Sequence, residues 1–172
     1  VVDGQRQYVQ FLRGGVVGVS AADGRFLWRY NSPANGTANA ATPIFRDNQV
    51  FASSAYGTGG GLARLTSTPN GVTASEVYFT RSMKNHHGGI VLVGDYLYGF
   101  DDSTLTCMKF QTGEVAWTNR SVGKGSLVYV DGNLIVRGER GTVGLVTATP
   151  TGYEEKGRFD QPERTRQEAW AH

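Results

Sequence analysis

Residues Leu97 to Trp117 read Leu-Tyr-Gly-Phe-Asp-Asp-Ser-Thr-Leu-Thr-Cys-Met-Lys-Phe-Gln-Thr-Gly-Glu-Val-Ala-Trp, and this stretch decides the fold. It parses as two strands, a Thr-Gly turn and a third strand that ends in tryptophan. An earlier stretch, Tyr8 to Trp28, has the same length and plan: Phe11 matches Phe100, Gly24 matches Gly113, and Trp28 matches Trp117. A second kind of phrase alternates with it. Leu62 to Gly71 and Val143 to Gly152 both contain Thr-Pro-x-Gly, and each runs on to a phenylalanine, Phe79 or Phe159. Unit-ending aromatics thus fall at Trp28, Phe79, Trp117 and Phe159, which are 51, 38 and 42 residues apart. Those spacings bracket the roughly 40–45 residues of a four-stranded propeller blade.

The physical sense of such a repeat is that one four-stranded sheet buries neither face alone. Stacked sheets cover one another and leave short, protected edges. A large ring at the end of each unit suits a plug between neighbours. Burying about 200 Å² of indole stabilises by roughly 5 kcal/mol gross, an upper bound. The expected fold is therefore all-β, a partial β-propeller of four-stranded antiparallel blades. The blades are expected near 1–30 (incomplete), 40–80, 87–119 and 124–160, within one partial propeller over 1–172. Residues 161–172 would lead into a further blade, and the missing blades of the same chain are expected to be its natural neighbours. Cut off in this way, an isolated part-propeller exposes blade faces and is expected to self-associate.

Composition supports a folded β-protein. Hydrophobic residues make up 39% and charged residues 19%, too apolar for a disordered chain. Gly is frequent at 24 residues and Pro scarce at 5, which fits many tight hairpins. The net charge of +2 comes from scattered basic residues without a Lys/Arg run, so nucleic acid is not an expected partner. No apolar run approaches the roughly eighteen residues of a membrane-spanning helix, and no signal peptide is read at the start. Cys107 is the single cysteine, so no intrachain disulfide framework exists; it reads as buried packing.

The Gly24/Trp28 and Gly113/Trp117 phrases resemble the tryptophan docking motif of PQQ-like (quinoprotein-type) β-propeller repeats, commonly Ala-x-Asp-x-x-Thr-Gly-x-x-x-Trp. Thr112, Gly113 and Trp117 match it, while Cys107 and Lys109 replace its Ala and Asp. In the first copy Gly24 and Trp28 match, with Gly18, Ser20 and Asp23 at the other places. The resemblance implies a fragment of a longer bacterial protein that is periplasmic or secreted. It implies one of two functions. The first is a non-catalytic binding or scaffold module, like the propeller lipoprotein of outer-membrane protein assembly, with a protein, peptide or glycan ligand and no cofactor. The alternative is part of a PQQ-dependent dehydrogenase using calcium, with most catalytic residues outside this stretch.

Within the chain, catalytic and cofactor-binding residues cannot be assigned from sequence. Calcium needs several converging oxygens, and Asp101-Asp102 stands alone as an acidic pair, read as a solvated turn. The vicinal disulfide that the resemblance implies for quinoprotein alcohol dehydrogenases cannot form from Cys107 alone. Ligand-binding candidates come from geometry instead. Residues just before each inner strand should gather at one mouth of the channel, which places His86, His87 and Lys124 there, with Thr42 level and His172 as a further member. Adjacent His86 and His87 on an extended segment would point to opposite sides, so no metal site is expected. The Gly57–Gly61 run has no following helix and Gly123-Lys124-Gly125-Ser126 lacks the phosphate-loop order, so neither is a nucleotide motif.

Overall fold

The computed structural model describes residues 1–164 and 167–170. The chain divides into two compact units, Val1–Lys84 and Asn85–His172. Among the described residues there is no α-helix, and no helix long and apolar enough to cross a membrane.

The first unit holds two sheets. One has three strands, β1 (Gln7–Leu12), β2 (Gly15–Ser20) and β3 (Phe26–Tyr30), in sequential antiparallel order. The other has four, β4 (Ile44–Arg46), β5 (Gln49–Ser54), β6 (Gly59–Thr68) and β7 (Gly71–Thr80). Their shared core joins Phe11, Val16, Trp28 and Tyr30 to Val50, Ala52, Ala63, Leu65 and Val72. The second unit holds two four-stranded sheets. These are β8 (Ile90–Val93), β9 (Tyr96–Asp101), β10 (Thr104–Lys109) and β11 (Val115–Asn119), then β12 (Gly125–Val130), β13 (Asn133–Gly138), β14 (Thr142–Thr147) and β15 (Glu155–Asp160). Tyr98, Phe100, Leu105 and Cys107 from one sheet pack with Leu127, Leu134, Val136 and Val146 from the other. These are the antiparallel four-stranded blades that the repeats lead one to expect.

Gly59, Gly60 and Gly61 open β6 and pair with Ser54, Ser53 and Ala52. Close approach explains them: a side chain at Gly59 would strike the Thr80 carbonyl, and one at Gly60 the Phe51 ring. The following hairpin is also tighter than its Thr-Pro phrase suggests. Thr68 pairs with Gly71 across only Pro69 and Asn70, and the Thr68 hydroxyl donates to the Gly71 carbonyl at 2.9 Å.

Both tryptophan phrases fold identically around a left-handed glycine. Gly24 and Gly113 each have φ 72°. The Gly24 N–H reaches the Ser20 carbonyl at 2.9 Å, and the Gly113 N–H reaches that of Lys109 at 2.9 Å. In each third strand the pairing skips the residue just before tryptophan, Leu27 or Ala116. The skip sets Trp28 opposite Gly18 and Trp117 opposite Cys107, the small-residue position of the motif. A side chain at Gly18 would collide with the Trp28 indole, so that ring lies flat on bare backbone. Trp28 is 2% exposed and donates Nε1–H to Gln7 Oε1 at 2.7 Å. Trp117 is half-buried between Tyr98 and Tyr153 and donates to the Thr149 carbonyl at 2.8 Å, bridging the two sheets of its unit.

The phenylalanines depart from the expected plug. Phe79 is 37% exposed and Phe159 is 60% exposed. Phe79 faces Gly61, but the Tyr30 hydroxyl already sits there and donates to Glu76 Oε2 at 2.9 Å. Phe159 faces Val143, whose branched side chain leaves no bed for a ring. Phe159 lies instead on the face of its sheet that carries exposed Val128, Ile135 and Leu145.

Removing a fully buried indole costs about 3–5 kcal/mol, whereas trimming an exposed ring changes stability by about 0.5 kcal/mol. Urea unfolding should therefore show Trp28→Ala losing several kcal/mol and Phe159→Ala almost none. Equal losses would contradict the different seats described for the two rings.

Candidate functional site

The second unit brings three of the sequence candidates together and adds two residues that the sequence did not signal. The segment before β8 is bent, not extended, over residues 86–88. Asn85 pins it, donating its side-chain amide to the carbonyls of Gly89 at 3.0 Å and Phe100 at 3.2 Å. Gly88 then passes so close to the Gly125 carbonyl that no side chain would fit, and its own carbonyl accepts from Leu127 N–H at 3.2 Å. This contact presses His87 against the ends of the neighbouring strands.

The bend corrects the expectation that His86 and His87 point to opposite sides. Their rings lie 4.9 Å apart, tilted by 59°. His87 Nε2 meets Glu139 Oε1 at 2.9 Å, and Lys124 Nζ reaches the same oxygen at 3.2 Å. Glu139 stands in the turn between β13 and β14, and its N–H donates to the Lys124 carbonyl at 2.8 Å, so backbone and side chains hold the pair together. The side chains of His87 and Glu139 are only 6% and 9% exposed, while that of Lys124 is 33% exposed. Trp170 closes one side, 5.6 Å from His87 and 6.1 Å from His86, ring centre to ring centre. Its segment is tied down where Ala169 N–H donates to the Glu139 carbonyl at 3.2 Å.

Thr42 belongs to the first unit, and His172 lies outside the described residues. Glu139 was missed because a glutamate in a Gly-Glu-Arg-Gly turn looks like solvent-facing loop. Trp170 was read as lead-in to another strand.

Electrostatics favour a charged Glu139 carboxylate and a neutral His86 imidazole. Burial raises the proton affinity of Glu139, but hydrogen bonds from His87 and Lys124 together outweigh it and hold the carboxyl below its ordinary range. Burial, with repulsion from Lys124 and His87, lowers His86 from its ordinary 6.5. Next to the cluster a cavity of about 390 Å³ is lined by Arg120, Lys124, Arg140, Glu139 and Glu168.

The resemblance raised calcium with a quinone, and the residues described here do not fit it. Cys107 is wholly buried opposite Trp117, its thiol pushed up to about 11 by burial, and it has no neighbouring cysteine to pair with. Asp102 sits in the tight β9–β10 turn at φ 50°. Among the described residues the cluster with metal-ligand spacing is His86, His87 and Glu139, two nitrogens and a carboxylate, not the oxygen cage calcium takes.

A sequence profile of the family described as "Outer membrane protein assembly factor BamB" matches residues 1–119. No curated protein matches the chain. Among solved structures, the computationally designed Ika8 protein superposes with a TM-score of 0.64 at 14% identity, covering 97% of this chain and 52% of that one. The β-propeller domain of Cps50 (Swd1) from Myceliophteria thermophila gives 0.58 at 14% identity, covering 91% and 55%. BamB from Moraxella catarrhalis gives 0.49 at 16% identity, covering 90% and 61%. The chain thus has a propeller fold and spans about half the length of the first two structures.

His86 prefers to be neutral when folded, so protonation favours the unfolded chain. Stability conferred by this preference is complete above 6.5 and lost as the pH falls below it. Glu139, with its depressed folded value, adds a separate loss at lower pH, as acid protonates the folded carboxyl. Urea midpoints should fall between about pH 7.5 and 5.5 in the native sequence, and His86→Gln should flatten that limb while leaving the more acidic one. An unchanged profile would contradict the assigned environment of His86.

Proposed function

The chain belongs to the PQQ-like propeller family described as outer membrane protein assembly factor BamB, and from that premise we propose a non-catalytic binding module. Its place of action on this reading is the periplasm, and its partner is a protein or peptide segment rich in carboxylates. The observation that carries the reading is the polar cavity of the second unit, where Arg120, Lys124 and Arg140 converge. Arg120 and Arg140 are exposed there, while Glu139 is already engaged by His87 and Lys124. Guanidinium forks grip carboxylates in two-point contacts that a point charge cannot copy. A surface of this kind binds through charge and shape, and no nucleophile paired with a base is part of its described lining.

The description of the family names an assembly factor, which supports a protein partner over a small substrate. The chain spans about half the length of the first two solved structures named above, and on this reading its surface is one part of a larger one.

Fluorescence anisotropy with a labelled Glu/Asp-rich peptide tests the reading. Binding should weaken as salt rises and fall at least about tenfold in Arg120→Glu/Arg140→Glu, the magnitude expected when charge-assisted contacts are reversed. A Lys/Arg-rich control peptide should not bind. Equal binding of both peptides, or stoichiometric uptake of pyrroloquinoline quinone with calcium, would overturn the proposal.

A further inference from the structure

We propose that His86, His87 and Glu139 form a binding site for a divalent transition metal, zinc in the first instance. The ligand atoms of the three residues all lie within 4.8 Å of one another. Tetrahedral zinc, with bonds of about 2.0–2.2 Å, needs its ligands roughly 3.3 Å apart. His87 Nε2 and Glu139 Oε1, at 2.9 Å, have to part by only about 0.4 Å to reach that spacing. The ligand atom of His86, within 4.8 Å of the other two, has to close by at most about 1.5 Å, and it comes from the more exposed imidazole on the bent segment.

Donor chemistry points the same way. Two imidazoles with one carboxylate suit zinc and its neighbours, whereas magnesium and calcium prefer all-oxygen cages. Three protein ligands leave a fourth position open, as in sites that take water or an exogenous ligand. The cavity lined by Glu139 and Lys124 lies beside the cluster on its Glu139 side. Trp170 packs against both imidazoles and shields them on the other side.

One group opposes the metal. Lys124 Nζ sits 3.2 Å from Glu139 Oε1, where it competes for the carboxylate and repels a dication. Binding therefore requires that Lys124 withdraw from that oxygen. At 33% exposure its chain has room to do so. The same opposition supplies a signature that a purely structural ion pair lacks: removing Lys124 should tighten metal binding.

The experiment uses the chain without an affinity tag and probes it with Zn(II) alone by titration calorimetry, and with Co(II) by visible absorption. The expected result is one saturable zinc per chain and the intense absorption of a tetrahedral cobalt centre. His86→Ala and Glu139→Gln, checked for folding by circular dichroism, should weaken zinc by more than about tenfold, as loss of a direct ligand does. Lys124→Met should tighten it by about tenfold, because a like charge a few ångströms away is removed. No saturable zinc binding, or binding unchanged in both His86→Ala and Lys124→Met, would overturn the site. The peptide experiment is read at Arg120 and Arg140, so the two proposals fail separately.

Discussion

A tryptophan can lie flat on an adjacent strand only where that strand carries almost no side chain. That constraint governs the first unit. Gly18 provides bare backbone, the skipped pairing at Leu27 sets Trp28 opposite it, and the indole closes the core shared by the two sheets. The second unit repeats the solution with a slightly larger bed. Cys107 replaces glycine, the ring is less completely buried, and Tyr98 and Tyr153 pack against it. Where the bed is taken by Tyr30, or filled by Val143, the corresponding phenylalanine turns outward. Ring burial thus follows whether the bed opposite is both small and vacant, not the presence of an aromatic at the right spacing.

The same tight stacking explains why a charged cluster survives almost out of water. Gly88 and Gly125 let one sheet's lead-in segment pass against the next sheet's first strand with no side chain between. The His87 imidazole is carried by that approach onto Glu139, whose buried carboxylate would be costly without a donor. Lys124 supplies a second donor from the adjacent strand start. Structure and chemistry are coupled here: the packing that joins two blades also assembles the polar group.

Much of the architecture was legible because each strand phrase carries its own punctuation. Gly24 and Gly113 announce identical turns, and Trp28 and Trp117 sit at the centre of matching strands that run two residues beyond them. Gly59 to Gly61 say little by themselves, since glycine serves a loop as readily as a strand on which another backbone presses. The candidate site was legible in part. His86, His87 and Lys124 were placed by counting back from inner strands, but their mutual orientation depended on a bend that no local residue preference reveals. Glu139 lies 52 residues from His87, and sequence gives no sign that a turn glutamate will be covered.

The fold depends most directly on the indole of Trp28 resting on Gly18. Nuclear magnetic resonance measures this contact, because protons held over an aromatic face are shifted by its ring current. One Gly18 α-proton should lie well upfield of ordinary glycine and show a nuclear Overhauser contact to the Trp28 ring. Gly24, which has open space around it, should show neither. An ordinary Gly18 shift without the contact would contradict this seat for the indole.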